Sequence, residues 1–238
     1  MKHKENNLLI VSLYVDNLLI TGSNIKLIDE FKGEMMNFFE MTGLGLMTYF
    51  LGIESKQEDN EVFICQRKYA KEILKKFHME DCKAMATPMN SKESLSKDDG
   101  ADKGYFRSMI GCLMYLTTTK PDIHLAISIL SRFMHCAIEI HLKTTKRVIR
   151  YIKGSTAFGV KFKKCQNFKL LGFSISDWGS LVDDMKSTSE YCFNLGSRVF
   201  SRSAKKEETV AQSTAKVEFV VVIVAGSKSS IVAEKVML

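Results

Sequence analysis

The chain has 238 residues, of which 45% are hydrophobic and 26% are charged, and it contains only 2 proline and 14 glycine residues. This length and composition are typical of a globular protein with one large or two small domains, and they exclude collagen-like, low-complexity and disulfide-scaffold chains. The 34 Lys and Arg residues outnumber the 27 Asp and Glu residues, so the net charge is +7. That excess is a mild bias towards a polyanionic partner.

The cysteines and the N-terminal sequence indicate the compartment. None of the six cysteines belongs to a Cys-x-x-Cys pair, so the sequence predicts reduced thiols rather than a zinc site. A basic start followed by apolar residues 8–15 is similar to a secretion signal, but Asp16 and Asn17 interrupt the apolar run. Residues 217–225 fall short of the roughly 20 apolar residues that a bilayer requires. We expect a soluble, intracellular protein without a membrane partner, with cytoplasm and nucleus both open.

Hydrophobic periodicity predicts the elements of the first half of the chain. Two apolar, β-branched runs meet at Asp16 and Asn17, which predicts a β-hairpin with its turn at these two residues. Alternating and helical periods then predict four further elements. They are a helix over 25–39, strands over 47–56 and 61–64, and a helix over 69–77.

A polar segment separates this half from the next. Residues 91–104 are charged and almost free of large apolar groups, so they are the predicted linker. Residues 209–236 fit a helix and a strand about equally, and both alternatives stay open. The elements predicted between the two segments are helices over 105–118, 122–136 and 138–153, and strands over 158–162, 168–175, 189–195 and 197–203.

The third of these helices carries a basic face. It consists of Lys143, Lys146, Arg147, Arg150 and Lys153. Such a face is most often solvated surface, and contact with nucleic-acid phosphates is the alternative interpretation. The histidines show no metal-ligand spacing and no nucleophile partner, so the sequence assigns no role to His78, His124, His135 or His141.

The run Tyr14-Val15-Asp16-Asn17, placed between two apolar runs, resembles the Tyr-x-Asp-Asp hairpin of reverse transcriptases in its copia-type retrotransposon form. The resemblance continues in the family's order over nearly the whole chain. It implies the C-terminal part of a reverse transcriptase, a connecting helical region and the start of an RNase H-like domain, all from a Pol polyprotein. The further blocks lie at residues 39–45, 49–54, 66–70, 81–89, 107–116, 120–123, 146–154, 176–178, 186–189 and 212–215.

The hairpin motif departs from the family at one of its metal-binding positions. In the family, adjacent acids hold two Mg²⁺ ions roughly 3.5–4 Å apart for nucleotide transfer. Asp16 matches the first acid, whereas Asn17 replaces the second with a neutral amide, which lacks the charge that a hard cation site requires. The resemblance places a third carboxylate on an earlier strand, upstream of Met1. Asp16 is therefore expected to be a remnant of a metal ligand.

The RNase H-like part departs in the same way. The family reads Asp-x-Asp-Trp on its first strand, and this chain reads Ile175-Ser176-Asp177-Trp178. Ile175 thus stands where the resemblance places a metal-binding acid, and Asp177 lies two residues along on the same strand face. Glu218 matches the acid of the following helix. The resemblance implies Glu218 as a remnant acid and metal ligand, and Asp177 as a weaker candidate.

These observations predict an α+β fold with three parts. A partial reverse transcriptase palm and thumb covers residues 1–90, a linker and helical connection covers 91–157, and a truncated RNase H-like domain covers 158–238. The implied ancestral activity is RNA-directed DNA synthesis with RNase H cleavage on an RNA or DNA primer-template, with Mg²⁺ as cofactor. We expect this chain to hold no productive Mg²⁺ pair and to be inactive. The alternatives are a non-enzymatic nucleic-acid-binding protein and a translated remnant without function.

Overall fold

The computed structural model of the chain describes residues 2–4, 7–89, 102–164, 170–177, 188–195 and 198–206. These residues form the mixture of helices and strands expected of an α+β protein. The chain divides into two compact units, Met1–Met47 and Thr48–Leu238, and each is described by itself. Among the described residues, no helix has the length and apolar character needed to cross a bilayer.

The first unit is a three-stranded antiparallel sheet followed by a helix. The order in the sheet is β1-β2-β3, and the side chain of Asn24 starts the helix by accepting a 3.0 Å hydrogen bond from the Lys26 N–H. The predicted hairpin and helix are therefore confirmed, while β1 is a strand that the sequence did not predict. The bounds are β1 Lys2–Lys4, β2 Asn7–Tyr14, β3 Asn17–Gly22 and α1 Ile25–Phe38.

The hairpin turn lies one residue earlier than predicted. Val15 and Asp16 form the turn, and Asn17 is the first residue of β3, opposite Tyr14. In this register Leu9 pairs with Gly22, and a Cβ on Gly22 would lie 2.7 Å from the Leu8 carbonyl oxygen. The sheet therefore needs a glycine at this position. The two-residue turn that results puts Val15 in the left-handed region at φ 51°, a conformation that is strained for a β-branched residue.

A four-stranded antiparallel sheet begins the second unit. Its order is β4-β5-β6-β7. The single strand predicted over 47–56 is wrong, since Leu51 and Gly52 take positive φ angles of 47° and 74° and turn the chain between β4 and β5. β7 pairs with β6, so it joins a strand from far back in the sequence. The bounds are β4 Tyr49–Phe50, β5 Ile53–Glu58, β6 Glu61–Cys65 and β7 Gly159–Lys163.

Four helices pack together to form the main hydrophobic core. Their buried side chains include Ile73, Phe106, Leu113, Leu130 and Ile149. Asp102 begins the second of these helices by accepting hydrogen bonds of 2.9 and 3.0 Å from the N–H groups of Gly104 and Tyr105, so this helix starts inside the last residues of the predicted linker, 91–104. The helices are α2 Arg67–Lys76, α3 Lys103–Leu116, α4 His124–Ser131 and α5 Glu139–Gly154.

The helix predicted over 122–136 is shorter than expected. A 3-10 turn at Pro121–Ile123 leads into α4, which ends at Ser131. Beyond that point the chain continues in turns, in which the N–H of Phe133 donates to the Leu130 carbonyl at 3.1 Å. Phe133 is thereby turned into the core, where it is 1% exposed.

The third sheet is an antiparallel meander. Its strands are β8 Leu170–Asp177, β9 Thr188–Leu195 and β10 Arg198–Lys206, in the order β10-β9-β8. The three strands predicted over 168–175, 189–195 and 197–203 are confirmed, with a shift of a few residues at their ends. Trp178, Glu218 and the ambiguous segment 209–236 lie outside the described residues.

Candidate functional site

The tip of the β2–β3 hairpin is open to solvent. Leu13, Tyr14 and Val15 are 70%, 50% and 74% exposed, and the adjacent Asp16 and Asn17 are exposed too. The tip therefore offers one carboxylate and one amide oxygen on neighbouring residues. Within the ranges given above, no three His, Cys, Asp or Glu side chains converge on one point.

Among the positions predicted for the RNase H-like part, residues 175 and 177 are described only in their backbone. Ile175 pairs with Glu190, and Asp177, the last residue of β8, pairs with Thr188. Asp177 thus lies at a strand end, on the same face as residue 175. Glu218 lies outside the described residues, so its position relative to Asp177 stays a prediction.

The basic face of α5 is partly covered by another segment of the chain. This segment, residues 82–87, is called the strap. The Nζ of Lys153 donates to the Cys82 carbonyl at 2.6 Å, and the Nη2 of Arg147 donates to the Thr87 hydroxyl at 2.9 Å. The N–H of Met85 donates to the carbonyl of Arg150 at 3.2 Å. Two of the five predicted basic side chains therefore hold the strap in place.

The other three basic side chains differ in exposure. Lys143 is exposed, whereas Lys146 and Arg150 are half-buried on α5. Since α5 places residues 143, 146 and 147 on neighbouring turns, a cationic surface continues from the edge of the strap along the helix. This remaining surface is the part of the predicted face that a polyanion can reach.

A buried lysine is a feature that the sequence analysis missed. Lys120 is fully buried, and its Nζ donates to the carbonyls of Ser155 and, at 3.4 Å, Phe158. Burial lowers the pKa of the Lys120 ammonium group. The run Thr119-Lys120-Pro121 has the composition of an exposed connection, so no local signal distinguishes this lysine. The lysine lies next to an open cavity of about 490 Å³, which is lined by Phe63, Thr119, Pro121, Asp122, Tyr151 and Phe158.

Two tyrosines, Tyr69 and Tyr151, have pKa values above the ordinary value. Burial raises the pKa of Tyr69 to about 12, with the Cys112 thiol adding to the effect. Burial and the hydrogen bond to the Asp122 carboxylate raise the pKa of Tyr151 to about 12. The ordinary value for a tyrosine is about 10. The folded chain therefore keeps these two phenols neutral where the unfolded chain ionises them.

We expect the free energy of unfolding to fall as the pH rises from about 10 to about 12. The neutral phenols contribute fully below pH 10, because both states are then protonated, and the contribution is lost as the unfolded state releases protons first. Absorbance titration of tyrosinate measures the two pKa values in the folded chain, and urea denaturation at several pH values measures the fall in the free energy of unfolding. Tyr69→Phe and Tyr151→Phe should each remove one late-titrating phenol, and titration of all tyrosines near pH 10 in a chain that stays folded would contradict the assignment.

Comparison with known proteins shows which sequences the chain is similar to. A family model for reverse transcriptase (RNA-dependent DNA polymerase) matches residues 1–91, which include the hairpin. An uncharacterized mitochondrial protein of Arabidopsis thaliana is 38% identical over 209 residues, which cover 87% of each chain. No solved structure matches the chain.

Two plant transposon proteins extend the match. The retrovirus-related Pol polyprotein from transposon RE1 of Arabidopsis thaliana is 35% identical over 87% of this chain, and that from transposon TNT 1-94 of Nicotiana tabacum is 31% identical over 92% of it. The chain belongs to the family of retrovirus-related Pol polyproteins of copia-type transposons. It spans 14% and 17% of the length of these two polyproteins, so it corresponds to a fragment of them.

Proposed function

We propose that the chain is a remnant of an RNA-directed DNA polymerase that no longer polymerises nucleotides. The observation that carries this proposal is the donor set of the hairpin tip, which consists of the Asp16 carboxylate beside the Asn17 amide. When a carboxylate and a cation charge are about 4 Å apart and the effective dielectric constant is about 20, the two unit charges attract each other by about 4 kcal/mol. An amide in place of an acid lacks this attraction. The residues at the tip therefore do not fit a pair of Mg²⁺ ions.

Primer extension tests this proposal. We expect the purified chain to incorporate no nucleotide on an RNA template with Mg²⁺, and the Asp16→Ala variant to give the same background signal. A contaminating polymerase would act equally in both preparations, so the variant serves as the control. Incorporation by the wild-type chain that Asp16→Ala abolishes would show that the proposal is wrong.

We also propose that residues 158–238 derive from the start of an RNase H-like domain, with 1–90 from the polymerase and 91–157 from the connection. The three antiparallel strands β8, β9 and β10, which follow one another along the chain, support this assignment. With Ile175 at the position of the first acid, Asp177 and Glu218 are remnants, and we expect no cleavage of an RNA–DNA hybrid.

A second candidate function is non-enzymatic binding of RNA or DNA. The exposure of Lys143 beside Lys146 on α5 favours it, together with the net charge of +7. Each phosphate that a lysine neutralises releases counterions, so such binding weakens steeply with salt. This function requires only the cationic surface that the strap leaves open.

Filter binding at two salt concentrations tests the second candidate. If the two lysines contact two phosphates, affinity should fall about tenfold between about 50 and 200 mM salt. The double variant Lys143→Gln with Lys146→Gln should flatten this dependence. The matched control removes two lysines of the β-sheet, Lys56→Gln with Lys161→Gln, both of which are paired with glutamates at 2.6 and 2.7 Å. If the two double variants changed the salt dependence of binding equally, α5 would not be the binding surface.

A further inference from the structure

Thr87, at the end of the strap, combines three properties. Its side chain is exposed, and its hydroxyl accepts a hydrogen bond of 2.9 Å from the Nη2 of Arg147. It is followed by Pro88, and because the only other proline is Pro121, preceded by Lys120, this is the only Ser-Pro or Thr-Pro pair in the sequence.

The backbone around Thr87 suits an enzyme that must bind it in extended form. Residues 83–89 belong to no helix or strand, and a residue that precedes proline is biased towards the extended region. Proline also lacks an N–H, so the position after Thr87 brings no donor that a binding groove would have to satisfy. These are the features of a substrate segment for a proline-directed protein kinase.

Arg147 is positioned to receive a phosphate. Its Nη2 already contacts the Thr87 hydroxyl, and its Nε is buried with no hydrogen-bond acceptor among the residues that the structure describes. The planar guanidinium group binds phosphate through two parallel N–H donors. A phosphate on the Thr87 oxygen offers acceptors to both nitrogens, whereas the hydroxyl satisfies only one.

We propose that Thr87 is a phosphorylation site for a proline-directed kinase and that Arg147 binds the resulting phosphate. The Thr87 oxygen attacks the γ-phosphorus of ATP, and a new P–O bond forms as the bond to the β–γ bridging oxygen breaks. ADP leaves, and the hydroxyl proton passes to a base of the kinase. The product carries a charge of about −1.5 to −2 against the guanidinium group, and this fixes the end of the strap on α5.

The test uses the full chain, a proline-directed kinase and ATP. We expect one phosphate per chain, located at Thr87 by mass spectrometry and absent from Thr87→Ala. In the folded phosphorylated chain, the phosphorus NMR signal should titrate about one pH unit below the value of about 6 for an unpaired phosphothreonine, because the guanidinium group stabilises the dianion. Arg147→Gln should return the midpoint to about 6.

Matched variants keep the result interpretable. Lys56→Gln removes a charge from β5, where the lysine is paired with Glu58 at 2.6 Å, and should leave the lowered midpoint in place. Arg147→Lys keeps a cation without the planar fork and should give an intermediate midpoint. Failure of the kinase to modify the wild-type chain while it modifies a short peptide of residues 83–92 would overturn the site. Equal midpoints in the wild type and Arg147→Gln would overturn the role of Arg147.

Discussion

Replacing Phe106 with alanine is expected to lower the free energy of unfolding by about 3–5 kcal/mol. Phe106 is 0% exposed on α3, inside the cluster that joins the four helices. Its ring lies 6.2 Å from that of His141 on α5, so truncation leaves a cavity between two helices instead of at the surface. Since a domain of this kind is stable by about 5–15 kcal/mol, the loss is a large fraction of the total.

Urea denaturation followed by circular dichroism measures this loss, and Met114→Ala is the matched control. Met114 belongs to the same helix but is 51% exposed, so its truncation should cost much less than that of Phe106. Similar losses for the two variants would show that the cluster around Phe106 is not the core of the second unit.

His141→Ala is the substitution with the next largest expected effect, about 2–4 kcal/mol. His141 is fully buried and stacks on Phe133 with a centroid distance of 4.0 Å and an interplanar angle of 25°. Its Nδ1 accepts a 3.1 Å hydrogen bond from the Ile138 N–H at the start of α5. Alanine removes both the stacked ring and the acceptor for one of the first N–H groups of the helix.

Two further variants separate these contributions. His141→Phe keeps a ring against Phe133 but loses the acceptor, so it should cost about 1–3 kcal/mol, less than His141→Ala. His135→Ala, at an exposed histidine before the helix, should change stability by about 0.5 kcal/mol or less. A loss for His135→Ala as large as that for His141→Ala would contradict the structural role of the buried ring.

Features that depend on neighbouring residues were predictable from the sequence. The helical period of residues 25–39 gives α1, and the two apolar runs around Asp16 give the β2–β3 hairpin. The exact turn was not predictable from the runs alone, because the two apolar runs fit pairing registers that differ by one residue, and the observed register pairs Tyr14 with Asn17. Similarly, the Leu51–Gly52 turn depends on positive φ angles at both residues, one of which is unusual for leucine.

Features that depend on distant residues were not predictable. β7 completes a sheet with β6 from about 100 positions earlier, and no periodicity specifies such a partner. The strap and α5 are likewise distant in sequence, so the face formed by Arg147 and Lys153 looks like free cationic surface until both segments are placed. The buried ammonium group of Lys120 donates hydrogen bonds to the carbonyls of Ser155 and Phe158. Both residues are distant in sequence, so the residues around Lys120 do not predict its burial.

The Tyr-x-Asp-Asp-like motif, and not the hydrophobic periodicity, identifies the hairpin tip as the candidate site. Without the flanking family blocks, Asp16 is an ordinary turn residue. The departure from the motif at Asn17 was visible in the sequence, and the structure adds that both side chains lie at an exposed tip. Asp177 and Glu218 stay predictions, the first because only its backbone is described and the second because it lies outside the described residues.

The proposed loss of activity depends on the claim that the single carboxylate at the hairpin tip cannot hold two metal ions. Crystals of the chain soaked with Mn²⁺ and a deoxynucleoside triphosphate would reveal bound ions by their anomalous scattering. We predict no pair of Mn²⁺ ions at Asp16 and Asn17. Two ions within about 4 Å of each other at this tip, the spacing of a two-metal polymerase site, would contradict the account.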